Sequence, residues 1–187
     1  MIGPRTEGRR DNIMIRRESA VDIYDGEAQA MRHVNLDTVE ITYDDDPEGY
    51  RAGRAQIGRM LGAEQAGASV YELPAGQSNC PYHYEVGDEE WLLVLAGRLT
   101  VRHPDGETEL GPGEIALFPA GPDGAHKLTN RGEEAVRVLL LSVDHTPAVS
   151  VYPDSDKVGT FTADPRANVM VRRAADVDYW EGEVAGG

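Results

Sequence analysis

The sequence predicts an all-β domain, a sandwich or a barrel, and three observations carry that prediction. From about Arg54 to Val151 the chain is a succession of short β-prone runs punctuated by glycine and proline. Almost no stretch in that region repeats with the 3.6-residue period of a helix. Turn signals recur at roughly eight- to twelve-residue intervals, as they do in sandwiches and barrels.

The elements follow in order. Val39, Ile41 and Tyr43 alternate with polar residues and run into Asp44, Asp45, Asp46 and Pro47, which reads as a strand closed by an exposed acidic turn. Further strands are expected at 55–61, 69–73, 81–85, 90–96, 98–102, 107–110, 115–118, 125–129 and 135–143. His103-Pro104-Asp105-Gly106 is the clearest turn, because Asp-Gly supplies the positive φ that a tight hairpin requires.

The chain has 187 residues, of which 40% are hydrophobic and 27% charged, enough for one domain with extensions and a sizeable core. No apolar run approaches the roughly 20 residues of a membrane span. A net charge of −15 repels phosphate backbones and anionic headgroups, so neither nucleic acid nor membrane is an expected partner. Cys80 is the only cysteine, which excludes an internal disulfide, and the N-terminus has no charged segment followed by an apolar one. A cytoplasmic protein is expected.

The two ends resemble each other. Residues 12–27 and 168–183 align without gaps, with Asn, Met, two Arg, Val, Asp, Gly and Glu in common. The expected organisation is an N-terminal extension at 1–30 resembling 168–183, a β domain at 31–151, and a C-terminal extension at 152–187 packing on it. A repeat this short cannot bury a core of its own. It is either a pair of strands docked on the β domain or a duplication remnant, with Met31 as an alternative start.

The chemistry-bearing segment runs from Gly76 through Cys80, His83, Glu85 and Glu90 to Gly97. His83 and Glu85 lie two apart on a strand and therefore share a face. Downstream, Gly113 is followed by Pro119, Gly121, His126 and Asn130. These residues resemble the two motifs of the cupin superfamily, including its mannose-6-phosphate isomerase-like group. The resemblance implies a double-stranded β-helix, or jelly-roll, barrel holding one divalent metal, and a homodimer.

Three departures stand out. Glu85 occupies the place of the family's second histidine, Gly76 sits one residue further from His83 than the motif has it, and two extra residues precede His126. The resemblance thereby implies a two-histidine, two-carboxylate metal site of His83, Glu85, Glu90 and His126. Such a donor set suits iron, manganese or zinc, with nickel or cobalt also compatible. Glu85 is either a fourth ligand or a catalytic base. Without metal, Glu85 and Glu90 would be facing like charges, and one should take up a proton.

Parity from Glu90 turns Leu92 and Val94 inward and Trp91 outward. Tyr71, Leu92, Val94 and Phe118 are therefore the expected lining of an apolar pocket with few cations. Parity turns Lys127 outward, leaving Arg98 or Arg102 to reach in for an anionic substrate. Because of that scarcity, a generic small-molecule metallocupin is preferred over a sugar-phosphate isomerase. Cys80 reads as a small apolar filler and His33, His103 and His145 as bystanders. Two functions remain open: a metalloenzyme of oxygenase or isomerase type, and a non-catalytic binding or sensor protein.

Overall fold

The computed structural model describes residues 31–143 and 145–184. The N-terminal extension and its half of the repeat lie outside the described residues. Thirteen strands occur among those described: β1 Thr42–Tyr43, β2 Gly53–Ala55, β3 Ala66–Leu73, β4 Tyr84–Glu85, β5 Glu90–Ala96, β6 Leu99–His103, β7 Gly106–Leu110, β8 Ile115–Phe118, β9 Lys127–Thr129, β10 Val136–Val143, β11 Ala148–Tyr152, β12 Lys157–Phe161 and β13 Val169–Arg172. One helix, α1, covers Ile57–Leu61. No helix among the described residues is long and apolar enough to cross a membrane.

The strands form three antiparallel sheets, ordered β1-β2-β3-β10-β5-β8, β7-β6-β9 and β13-β12-β11-β4. This is the jelly-roll class expected, except that the sheets do not close into a barrel. The first two sheets face each other across a core of Leu73, Leu92, Val94, Val136, Val138, Leu140 and Phe118 on one side and Leu99, Val101 and Leu128 on the other. Alternation along each strand places these residues on one face, and burying each large aliphatic side chain is worth about 1.5–3 kcal/mol.

The outward face of the long sheet is also partly covered. Ala55, Ile57 and Val70 are buried there beneath Val34, Leu36, Val39 and Ile41. Residues 34–41 thus act mainly as an apolar cover, and only Thr42–Tyr43 of the expected first strand pairs, with β2.

The expected strand at 55–61 divides instead into the end of β2 and α1. Ile57 and Leu61, four residues apart, fall on one helical face against this cover, and Gly62 ends the turn in the left-handed conformation at φ 70°. Gly58 is needed at the contact, where a Cβ would lie 3.0 Å from the Ala66 carbonyl oxygen.

Asn130 closes the second motif. It is wholly buried and donates 2.8 Å hydrogen bonds to the carbonyls of Leu73 and Glu134, while its Oδ1 accepts from Gly132 N–H at 2.9 Å. That arrangement fixes the turn entering β10.

Candidate metal centre

His83 and His126 form an isolated antiparallel bridge, each N–H donating to the other's carbonyl at 3.1 and 2.8 Å. The two imidazoles are thereby mounted side by side, with centroids 4.8 Å apart. Each Nδ1 faces a backbone carbonyl two residues earlier, His83 that of Pro81 at 3.1 Å and His126 that of Gly124 at 2.9 Å. A proton on each Nδ1 satisfies those carbonyls and leaves the Nε2 lone pair free as a metal donor. Phe118 stacks on His126 at 3.7 Å with an interplanar angle of 9° and fixes its plane.

The two extra residues before His126 are absorbed in a 3-10 turn, Pro122–Gly124. Gly121 precedes it at φ 88°, and Gly124 packs so tightly on the Pro119 carbonyl that a Cβ would clash. The insertion therefore leaves His126 opposite His83. Gly121 N–H also donates to the Glu85 carbonyl at 2.7 Å, tying this turn to the first motif.

Glu90, the first residue of β5, brings Oε2 to 3.4 Å from His126 Nε2 and 3.8 Å from His83 Nε2. The donor atoms of His83, Glu90 and His126 all lie within 4.8 Å of one another, a spacing a single ion can bridge. Glu85 Oε1 stands 3.6 Å from His83 Nε2 and accepts a 2.7 Å hydrogen bond from Ser150 Oγ. The structure thus brings together all four residues expected at the metal, with Glu85 at the edge of the tight cluster.

Two polar atoms test whether an ion belongs here. Glu90 Oε2 and His126 Nε2 are buried and have no hydrogen-bond partner. Burying a polar atom unsatisfied costs about 1–3 kcal/mol, and more for a charged group. Both atoms point into a cluster of two imidazole nitrogens and two carboxylates, and a divalent cation would satisfy all of them.

The proton affinities follow from the same crowding. Burial, then repulsion from Glu85 and Asp88, pushes Glu90 up to about 7. Burial also raises Glu85, against the lowering effect of the Ser150 hydrogen bond. Desolvation, then the neighbouring His83, takes His126 down to about 3, and burial lowers His83 as well. Neutral imidazoles are the form that binds metal. Burial raises the Cys80 thiol, whose Sγ lies 3.5 Å from His83 Nδ1, so it stays a protonated packing group.

The cluster opens into a cavity of about 390 Å³. Tyr71 lines this cavity, whereas Leu92 and Val94 pack in the core between the sheets, and Phe118 packs there and against His126. Arg98 does not reach in: it projects to solvent from the far hairpin and pairs with Glu109. Arg102 is engaged by Asp154 and lies over the Tyr82 ring.

Polar and charged groups supply much of the remaining wall. Arg54 enters from β2, Asp88 is hydrogen-bonded by His145, and Ser150 and Tyr152 come from β11, with Phe161 from β12. A pocket of predominantly apolar lining is therefore not what forms. Ala148, Ser150 and Tyr152 alternate along β11, a period-two signal legible in the sequence once that strand is assigned to the pocket. Nothing local marks Arg54 or His145, which depend on register and on a long-range contact.

A family model described as a cupin domain matches residues 69–143. No curated protein matches the chain. Among solved structures, a sugar phosphate isomerase from a cupin superfamily of Silicibacter pomeroyi is similar at 23% identity and a TM-score of 0.68, over 77% of this chain and 94% of that one. The polyketide cyclase RemF from Streptomyces resistomycificus is similar at 22% identity and a TM-score of 0.53, over 63% and 83% of the two chains. These likenesses concern the fold. Matched segment, sheet order and fold neighbours agree on one point: residues 69–143 match the cupin-domain model, and the described strands take the fold of these neighbours.

Proposed function

We propose that this protein is a metal-dependent cupin enzyme that isomerises a small hydroxy-carbonyl compound by proton transfer. His83, Glu90 and His126 hold one divalent ion, of iron, manganese or zinc, and Glu85 acts beside them. The observation that carries the reading is the pair of orphaned buried atoms, Glu90 Oε2 and His126 Nε2, converging on the same point as His83 Nε2. When bound, the ion supplies Lewis acidity toward a substrate oxygen.

The rest of the chemistry belongs to the chain. Glu85 is a carboxylate whose proton affinity burial has raised toward the working range of a general base. Ser150 holds one of its oxygens and so fixes the other's direction. Tyr71, Leu140, Tyr152 and Phe161 surround the approach and limit water. The cavity volume, about 390 Å³, suits a ligand the size of a small sugar or organic acid. The sugar phosphate isomerase among the fold neighbours is consistent with that class.

Elemental analysis of protein purified without chelator, alongside His83→Ala/His126→Ala, tests the site. Near-stoichiometric metal lost in the double variant supports it. Interconversion of aldose and ketose substrates that needs this metal and disappears in a folded, metal-loaded Glu85→Gln tests the chemistry. The second reading, a non-catalytic binding protein, is favoured by one observation: with Glu85 only 3.6 Å from His83 Nε2, four protein donors could complete a tetrahedral shell.

A homodimer belongs to the same reading. Trp91 faces Leu117 on β8 and Leu141 on β10, and all three are 40–43% exposed on an outward sheet face. On a chain of net charge −15, an uncharged apolar patch is where a second copy can approach without repulsion.

A further inference from the structure

We propose that Arg54, with the Tyr71 hydroxyl beside it, is an oxyanion-binding subsite of the cavity, so that its ligand carries a phosphate or carboxylate group besides the oxygen directed at the metal. The inference rests on the reading of the cavity as a small-molecule site and adds the charge of the ligand.

Register puts Arg54 there. β2 pairs with β3 so that Arg54 stands directly opposite Tyr71, and partners so placed project from the same face of a sheet. Ala55, the next residue, faces the outward cluster with Val70 instead. Arg54 and Tyr71 both line the cavity, and the guanidinium hydrogen-bonds the phenol. Cys80, His83 and Glu90 line the same cavity, so the pair and the metal cluster share one space.

The guanidinium has no carboxylate partner among the ion pairs of the described residues, which engage Arg51, Arg98, Arg102, Arg131, Arg137 and Arg166 instead. It is the one permanent cation among the described residues lining the cavity, since His145 Nδ1 is taken up by Asp88. A strongly acidic protein has no shortage of carboxylates to quench an arginine. One without a carboxylate partner on the wall of a cavity carries a planar fork that matches the geometry of phosphate or carboxylate. The objection that no inward cation serves an anionic substrate is thereby removed.

The test follows the Arg54 Nε–H and Tyr71 amide resonances of the full chain by NMR. Inorganic phosphate and malonate are titrated separately, with sodium chloride at matched ionic strength as the control. A saturable response to at least one of the two anions is expected, and the stronger one identifies the group. Arg54→Met should weaken it by about ten- to a hundredfold, and Arg54→Lys by less, with the melting temperature unchanged in both. The response should persist in chelator-stripped protein, because β2 and β3 build the subsite.

A response no larger than that of chloride, one that survives in Arg54→Met, or one lost with the metal would each overturn the proposal. Failure to find metal by elemental analysis sinks the preceding reading and leaves this one standing.

Discussion

Ser150 Oγ donates a 2.7 Å hydrogen bond to Glu85 Oε1 across the pairing of β11 with β4, where the two residues are direct register partners. The bond lowers a proton affinity that burial raises. Ser150→Ala should therefore move the Glu85 titration midpoint to higher pH, read from the side-chain carboxyl carbon by NMR in metal-free protein. Any rate that needs ionised Glu85 should fall wherever the pH lies below the new midpoint, by up to roughly tenfold for a midpoint one pH unit higher. An unmoved midpoint would strip Ser150 of this role.

Metal affinity should depend on pH through Glu90. Its proton leaves only near pH 7, so below that value affinity should drop by about tenfold per pH unit, measured by titration with zinc in buffers of graded pH. Glu90→Gln should abolish that slope and weaken binding throughout.

The metal-free protein should show two opposed stability limbs. His126, lowered from 6.5 to about 3, binds fewer protons folded than unfolded, so it adds stability as pH rises from about 3 to 6.5. Glu90, raised from 4.5 to about 7, binds more protons folded, so it removes stability between those values. The effects offset where they overlap. Urea denaturation with chelator present should show stability rising from about pH 3 to 4.5 and falling as pH approaches 7. Saturating metal should remove the falling limb.

Gly124→Ala should damage the site more than the fold. The added Cβ collides with the Pro119 carbonyl at the end of the turn that leads into His126, whose Nδ1 faces the Gly124 carbonyl. We expect a loss of metal affinity of about tenfold or more with a near-native circular dichroism spectrum. Retained affinity would mean that the turn yields without moving the imidazole.

Trp91→Glu should convert a dimer to a monomer in sedimentation equilibrium while leaving metal content unchanged, because Trp91 is on the face opposite Leu92 and the core. A wild type that sediments as a monomer would remove the dimer from the reading.

Strand alternation made much of this legible. The expected strands at 90–96 and 115–118 coincide with β5 and β8, and the spacing of His83, Glu90 and His126 anticipated a cluster that tertiary contact assembles. Residues 55–61 went astray because Ile57 and Leu61 satisfy either period over so short a run, and packing on the outward cluster decided for the helix. Leu92 and Val94 do turn inward, but facing inward on a sandwich means facing the opposite sheet, and only the open end beside β4 and β11 becomes cavity. Arg54 escaped because its orientation is set by pairing with Tyr71, which no local pattern encodes. Ser150 and Tyr152 escaped because the expected strands stop at residue 143, before β11.

The backbone bridge between His83 and His126 has a thermodynamic consequence. It joins two stretches of chain that otherwise belong to different sheets, and any ion held by the two rings closes the same junction. Ion occupancy and foldedness then become linked variables. An ion that binds only the folded form stabilises it by RT ln(1 + [M]/Kd), about 2.7 kcal/mol at a hundred times Kd. The melting temperature of this protein would thus act as a gauge of free metal, and chelation as a mild denaturant.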